Sequence, residues 1–414
     1  MNLSSTGSSL CVRDCLSVVI CYDSRAVRCG PSGCGQPRPY TQSCFLRTFG
    51  GGLWGVGLGP PGALTARLSA EGKQVKLRIE ARAPTRIDLA GGTLDIWPLY
   101  LFHEGAMTVN CAITRYASCV IETSRSPRHR QITLVSRDTR RQESFASLEG
   151  LERGGRYRLP LLAHLVRFFR PKTGMTLTTD SEAPTGAGIG GSSAMAVAIC
   201  AALDRLTGGG LSLEDWIHIS RDAEAIVIRV PTGTQDHYPP AFGGASAIHL
   251  RPGSERREAL RVNLDELERR LVLSYSGKPR QSGINNWEVF KAHINGDQRV
   301  WRNLEQIARV ARGVRTALER GDWSEVGRLV REEWEFRRRN LPTISTPTID
   351  RIIAGARRKG ALGGKACGAG GGGCVALLID PDARGAVESF VASAGGELLP
   401  MGIDRRGVRV RVSK

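Results

Sequence analysis

Apolar and polar side chains alternate through VKLRIEAR (75–82), which predicts a half-buried strand. Pro84 follows, and an interruption of regular pairing is expected there. Two more strands are expected at Ala117–Thr123 and Gln131–Ser136, separated by the polar turn SRSPRHR (124–130). Leu159–Phe169 has helical spacing, and Met175–Thr179 returns to strand. Ser193–Leu206 predicts a helix with Ala194, Val197, Ala198, Ala201 and Leu206 on its apolar face. Leu213–Val230 predicts a second, entered through Ser212 as cap with Asp215 three places on. Ala245–Leu250 and Leu271–Tyr275 read as strands, and the charged RPGSERRE (251–258) reads as the link between two domains. Helices dominate Asn285–Glu335 and recur at Thr348–Lys359 and Ala386–Ala394. Val375–Leu378 is a buried-type strand, and alternation at Val408–Val412 closes the chain. Grouped strands with helices between them predict an α+β fold rather than a continuous Rossmann crossover.

The first 74 residues break this pattern. They hold six of the eleven cysteines (Cys11, Cys15, Cys21, Cys29, Cys34 and Cys44) and the runs GPSGCGQPRP (30–39) and GGGLWGVGLGPPG (50–62). Neither run has a helical or strand period. The favoured reading is a poorly ordered extension, translated from upstream of the true start, with Val75 as the first residue proper. A disordered or organelle-targeting arm is one alternative. A metal site is another, although the cysteines lack paired spacing and the segment has no histidine. No basic start precedes an apolar core of useful length, which argues against a secretory signal. The expected organisation is therefore an extension over 1–74, one domain over 75–255 and a second over 256–414.

Composition narrows the class without choosing a function. With 414 residues, 41% hydrophobic and 24% charged, the chain fits two or three globular domains. No apolar run approaches the ~18 residues of a membrane span. Lys and Arg outnumber Asp and Glu by 58 to 40, a formal charge of +18, which favours anionic partners. No zinc-finger or helix-turn-helix signature accompanies the charge, so nucleic acid is not expected and a solvated basic face is the simpler account. Without an export signal, a cytoplasmic setting with reduced thiols is expected.

Candidate chemistry gathers in three glycine-rich segments. EAPTGAGIGGSSAMAVAICAALDRL (182–206) combines Gly186, Gly188, Gly190 and Gly191 with a helix opened by Ser192 and Ser193. Amides at that helix start suit polyphosphate. Lysine is absent before Ser193, so this is no Walker A motif, and no strand–turn–helix unit surrounds it. KACGAGGGGCVALLI (365–379) offers a backbone nest or a closely packed turn. ARAPTRIDLAGGTLDIWPLY (81–100) places Arg86 and Asp95 across a glycine turn, for an anion and for sugar hydroxyls, or for a structural salt bridge.

In this order the three segments resemble the GHMP kinase superfamily, over Val75 to the C-terminus. TGTQDHYPPAFGG (232–244) and SGKPRQSGINNWEVFKAH (276–293) bring the resemblance nearest to sugar kinases of the D-glycero-D-manno-heptose 7-phosphate kinase type, near fucokinases. The resemblance implies an N-terminal domain like the second domain of ribosomal protein S5 and a ferredoxin-like C-terminal domain. It implies ATP held by Pro184, Thr185, Gly186, Ala187, Gly188, Ile189, Gly190, Gly191, Ser192 and Ser193, with Mg²⁺ on Ser193 and Glu224. Asp236 would take or orient the acceptor proton, with Arg86 beside the transferring group. Gly92, Thr93, Asp95, Asp236, Lys278, Arg280, Gly370 and Gly371 are the implied substrate contacts. Thr234 and Gln235 would support them, and His237 has a structural or sugar-contact role. The adenine pocket is not located by this reading, with Ser124–Arg130 as the candidate loop. The implied reaction phosphorylates the anomeric hydroxyl of the heptose 7-phosphate. Fucokinase, galactokinase-like and glucuronokinase activities are alternatives, and so is a non-catalytic nucleotide- or nucleic-acid-binding protein.

Overall fold

The structure is a computed structural model, and it describes residues 77–124, 129–280 and 283–413. The expectations for residues 1–74 lie outside the described residues, as does most of the candidate adenine loop.

The first half contains β1 (Arg78–Ala90), β2 (Met107–Thr123), β3 (Ile132–Ser136), β4 (Arg141–Phe145), α1 (Leu148–Arg153), α2 (Pro160–Phe169) and β5 (Met175–Ser181). It continues with α3 (Gly191–Thr207), α4 (Leu213–Ile228), α5 (Tyr238–Phe242), β6 (Ala245–Arg251) and β7 (Ser254–Ala259). The second half contains α6 (Leu264–Arg270), β8 (Leu271–Tyr275), α7 (Ile284–Ile294), α8 (Gln298–Arg320), α9 (Trp323–Arg338) and α10 (Pro347–Arg358). It ends with β9 (Ala361–Ala366), β10 (Cys374–Ile379), α11 (Arg384–Ser393), β11 (Glu397–Leu398) and β12 (Arg409–Ser413).

Eight strands form the larger sheet, in the order β12-β1-β2-β5-β3-β4, with β6 also on β2 and β7 on β6. Four antiparallel strands, β11-β8-β10-β9, form the smaller one. This is the expected α+β architecture. Strand β2 is longer than its apolar C-terminal half suggested. Its first residues pair with β6 and its last with β5, while β1 runs along almost its whole length. Pro84 does not end β1: the register shifts between Pro84 and Thr85, and the irregularity absorbs the missing amide. The expected link at 251–258 is a hairpin instead, turning at Gly253 with φ of +80° and pairing β6 with β7.

Helix α3 also departs from its amphipathic reading. Every residue from Ser193 to Asp204 is buried, on all sides of the helix. Its alanines are small enough for it to lie against β1 and β2 while α2, α4 and α5 pack on it. Helix α4 starts as expected, with Ser212 and Asp215 forming a reciprocal capping box. Fixing these two helices fixes the start of α3 and the inward side of α4, where the candidate site lies.

Candidate active site

The loop before α3 is held by its carbonyls. Arg86 donates its backbone N–H to Ile189 O (2.9 Å), Arg280 to Gly186 O (3.2 Å) and Cys374 to Ala187 O (2.7 Å). Three separate segments thus pin one turn. Gly186, Gly188 and Gly190 all have positive φ, between 69° and 78°, which favours glycine. Gly190 is the N-cap and supplies no side-chain cap, so the first-turn amides of α3 have no acceptor from it. These amides and the helix dipole make an anion cradle.

A cavity of about 430 Å³ opens over that cradle. Its wall includes Pro184, Thr185, Gly186, Ala187, Gly190, Gly191, Ser192 and Ser193, together with Arg86, Thr93, Asp95, Glu224, Asp236 and Arg280. Arg86 and Arg280, 194 positions apart in sequence, are thereby brought to one place. The other arm of the cavity is lined by Ser136, Asp138 and Thr139 after β3 and by Arg158–Leu162 at the start of α2. That arm, with apolar Leu159, Leu161 and Leu162 beside polar groups, has the lining a purine needs. The candidate loop 124–130 contributes no lining residue among those described.

Two pairs of side chains meet in the cavity. Ser193 Oγ donates to Glu224 Oε2 at 2.8 Å, joining α3 to α4. Burial pushes the Glu224 carboxyl up, but His237, Ser192 and Ser193 outweigh it and hold it below the usual carboxylate range. His237 Nε2 lies 3.2 Å from the same oxygen and is fully buried, which gives His237 a place behind Glu224. Arg86 Nε and Nη2 both donate to Asp236 Oδ1, at 2.9 and 2.6 Å, and Nη1 donates to Gly188 O at 2.6 Å. Both bonds fall on one oxygen, so Asp236 Oδ2 has no hydrogen-bond partner among the described residues. Burial works against the Arg86 charge, but Asp236 and Asp88 overcome it and hold its pKa above the ordinary value.

Asp95 is a second buried carboxylate in the wall. Gln235 N–H donates to its Oδ2 at 2.9 Å, while burial and the Asp236 charge push its pKa up to about 6. Thr93 has a φ of 78°, and its hydroxyl both donates to Asn286 and accepts from Arg337. Gly92 packs beside the Arg337 guanidinium, where a side chain would collide. Arg280 lies against Gly188 and Gly368 with its Nε buried and unpartnered. Burial and the Arg86 charge lower its pKa.

Six expected contacts do not line the cavity: Gly92, Gly188, Ile189, Lys278, Gly370 and Gly371. Lys278 is exposed, and its backbone carbonyl, rather than its ammonium, is used, accepting from Gly373 N–H. Gly370 and Gly371 pack on Ile344, Thr343 and Asn285 instead of lining the cavity. Sequence reasoning also missed four charged residues, Arg337 in the wall and Asp88, Glu333 and Lys365 below it. A carboxylate inside the apolar strand RIDLA and a lone lysine in GGKACG were the available signals.

Pinned phosphate cradle, buried serine–glutamate pair and arginine-held aspartate are the parts of a small-molecule phosphotransferase. Two family profiles match, "GHMP kinases N terminal domain" over residues 160–244 and "GHMP kinases C terminal" over 314–397. The chain is 25% identical over 340 residues to D-glycero-alpha-D-manno-heptose 7-phosphate kinase of Campylobacter jejuni, covering 80% of this chain and 98% of the relative. It is 30% identical over 247 residues to mevalonate kinase of Thermococcus onnurineus, covering 57% and 69% respectively. A crystal structure of a D-glycero-D-manno-heptose 1-phosphate kinase from Bacteroides thetaiotaomicron has a similar fold, with a TM-score of 0.64 and 24% identity over 80% of this chain and 98% of that one. The chain belongs to the GHMP kinase family, whose members take their phosphoryl group from ATP.

Proposed function

We propose that the protein transfers the γ-phosphoryl group of ATP to the anomeric hydroxyl of a sugar phosphate, D-glycero-D-manno-heptose 7-phosphate in particular. The observation that carries this reading is one cavity in which the α3 cradle, the Ser193–Glu224 pair and the Arg86–Asp236 pair face a common space. The triphosphate lies along the loop of residues 184–193, with its adenine in the arm formed by Ser136–Thr139 and Arg158–Leu162.

Asp236 Oδ2 accepts the acceptor hydroxyl proton as that oxygen bonds to the γ-phosphorus. The bond from phosphorus to the bridging oxygen breaks, and ADP carries away the electron pair. Arg86 holds the other Asp236 oxygen in place and adds positive charge where the phosphoryl group passes. Asp95 and Thr93 are placed to meet neighbouring sugar hydroxyls.

A hydroxyl and a buried anionic carboxylate 2.8 Å apart are hard oxygen donors, and they fit Mg²⁺ if phosphate oxygens and water complete its shell. Ser193 and Glu224 would hold the ion, which neutralises phosphate charge when bound. An acceptor that carries its own phosphate is supported by Arg280, a cavity cation whose buried Nε has no hydrogen-bond partner among the described residues. The similarity to the Campylobacter enzyme supports the heptose phosphate as the particular sugar.

The test is ATP consumption with heptose 7-phosphate, L-fucose, D-galactose and D-glucuronate, and ³¹P NMR of the product. Turnover is expected with the heptose phosphate, and a new phosphate signal at the anomeric carbon. Folded, ATP-binding protein that consumes no ATP with any of these acceptors would refute the reading.

A further inference from the structure

Beneath the acceptor end of the cavity lies a cluster of charges that the transfer step does not use. Asp88 sits on β1, fully buried, four residues past Pro84 in the same strand as Arg86. Its Oδ2 accepts from Lys365 Nζ at 3.0 Å and from Arg337 Nη1 at 3.1 Å. Its Oδ1 accepts from the Gly368 backbone N–H at 3.0 Å and lies 3.6 Å from Arg86 Nη1. Lys365, itself 1% exposed, also donates to Glu333 Oε1 at 3.0 Å. Arg337 reaches past Asp88 to Gly368 O at 3.1 Å and to the Thr93 hydroxyl at 3.2 Å.

One carboxylate thus meets three cations and one amide, which arrive from β1, α9, β9 and the turn after β9. So many buried charges are costly unless each is paired and hydrogen-bonded. The arrangement has a consequence for Arg86, because its guanidinium lies between two carboxylates. Asp236 takes two of its N–H groups, and Asp88 stands behind the third. Lys365 and Arg337 share Asp88 Oδ2 and neutralise the carboxylate, while the Gly368 amide takes Oδ1, the oxygen that faces Arg86, and together they limit how strongly Asp88 can draw Arg86 away from Asp236.

We infer that Asp88, balanced by the Lys365–Glu333 pair and Arg337, is a positioning residue for phosphoryl transfer that keeps Arg86 turned onto Asp236 and ties the 368 turn and Thr93 to the same anchor. This rests on the reading of Arg86 and Asp236 as the transfer pair. Asp88 touches neither substrate in this account; it acts through Arg86 and Thr93. Removing its charge leaves Lys365, Arg337 and Arg86 to repel one another. Removing Lys365 instead frees Asp88 to compete with Asp236 for Arg86.

The experiment uses the full chain and two readouts. The first needs no substrate: the Arg86 Nε–H, buried and bonded to Asp236, gives a protected ¹H–¹⁵N signal, assigned by its loss in Arg86→Lys. In Asp88→Asn that signal is expected to shift or exchange away. The second is the split of kinetic constants. Asp88→Asn is expected to lower kcat on the order of a hundred-fold, as small misplacements at a reacting centre do, while the KM for ATP changes less than about two-fold. A purely structural role would lower Tm but leave both the Arg86 signal and kcat per folded molecule unchanged, and that outcome overturns the inference. If Asp88→Asn does not fold, the double change Lys365→Met with Glu333→Gln removes one buried charge of each sign. It is expected to move the same signal and lower kcat, and a wild-type signal with wild-type kcat would again overturn the inference. If wild-type protein phosphorylates no sugar, the kinase reading fails, while the Arg86 signal still decides the role of Asp88.

Discussion

The two ends of the cavity are built on different physics. The donor end is backbone: a glycine turn whose carbonyls are pinned by three segments, and whose following helix start is left uncapped. The acceptor end is fixed charge: Arg86, Asp236, Asp95 and Arg337 in the wall, with Asp88 and Lys365 below. The two glycine-rich turns show the same contrast. In the first, Gly188 would drive a Cβ to 2.6 Å from Cys367 O and Gly186 to 2.9 Å from Arg280 N, so glycine lets other segments pack behind a turn whose front lines the cavity. In the second, Gly370 would drive a Cβ to 2.4 Å from Ile344 O, and Gly371 to 2.7 Å from Asn285 Nδ2. Glycine there permits close packing of a turn that closes the site from behind. Both turns are packed from behind, and what separates them is that Gly186, Gly190 and Gly191 line the cavity while Gly370 and Gly371 do not.

The sharpest test of the acceptor end is Asp236→Asn. The fold is expected to survive, since Asp236 is partly exposed, and kcat should fall about 10²–10⁴-fold in a steady-state assay. Normal turnover would remove the proton-transfer role. At the donor end, Gly188→Ala forces a Cβ to 2.6 Å from Cys367 O at a φ of +78° and disturbs the carbonyl that receives Arg86. We expect weaker ATP binding and lower kcat together, read by titration calorimetry and by turnover.

Asp95 couples stability to pH. Its folded pKa is pushed up to about 6 from an ordinary 3.8, so folding favours the protonated form. Between about pH 4 and 6 the unfolded chain loses this proton while the folded one keeps it, so stability falls through that window and levels off above it. The loss is of order 2–3 kcal/mol, and Asp95→Asn should remove it, flattening the denaturant-derived stability across that range. Asp88, seven residues earlier and equally buried, goes the other way. Burial pushes it up, but Lys365, Arg86 and Arg337 hold it well below the carboxylate range. The difference between the two aspartates is their neighbours: three cations for one, an anion for the other.

Gly371→Ala sharpens the contrast between the turns. It is expected to cost about 1–3 kcal/mol of stability, by thermal melting, with the KM for ATP unchanged. The smallest effect is expected from Lys278→Ala, which should leave turnover and acceptor KM near wild type, because the side chain is exposed and lies away from the cavity wall.

Local signals carried much of this in the sequence. Helical spacing and the Ser212–Asp215 box located α4, and the glycines before Ser193 located the tight turn that precedes α3, because capping and positive φ are properties of a few adjacent residues. Asp236 and Glu224 were legible only through the family pattern, while Arg86 and Ser193 stood out in their glycine-rich segments, and nothing in the spacing says that the four meet. Strand β2 was half hidden because its N-terminal part is buried on both faces and does not alternate. The hairpin of β6 and β7 was hidden because its second strand is charged and exposed.

What the chain by itself determined is its element types, its glycine turns and its store of charged groups, all of them governed by neighbours within a few residues. Which charge faces which was decided only when the chain folded. Asp88 and Lys365 are 277 positions apart, and Ser193 and Glu224 are 31 apart. Electrostatic partnership depends on distance and on exclusion of water, and neither exists until the sheets and helices are packed.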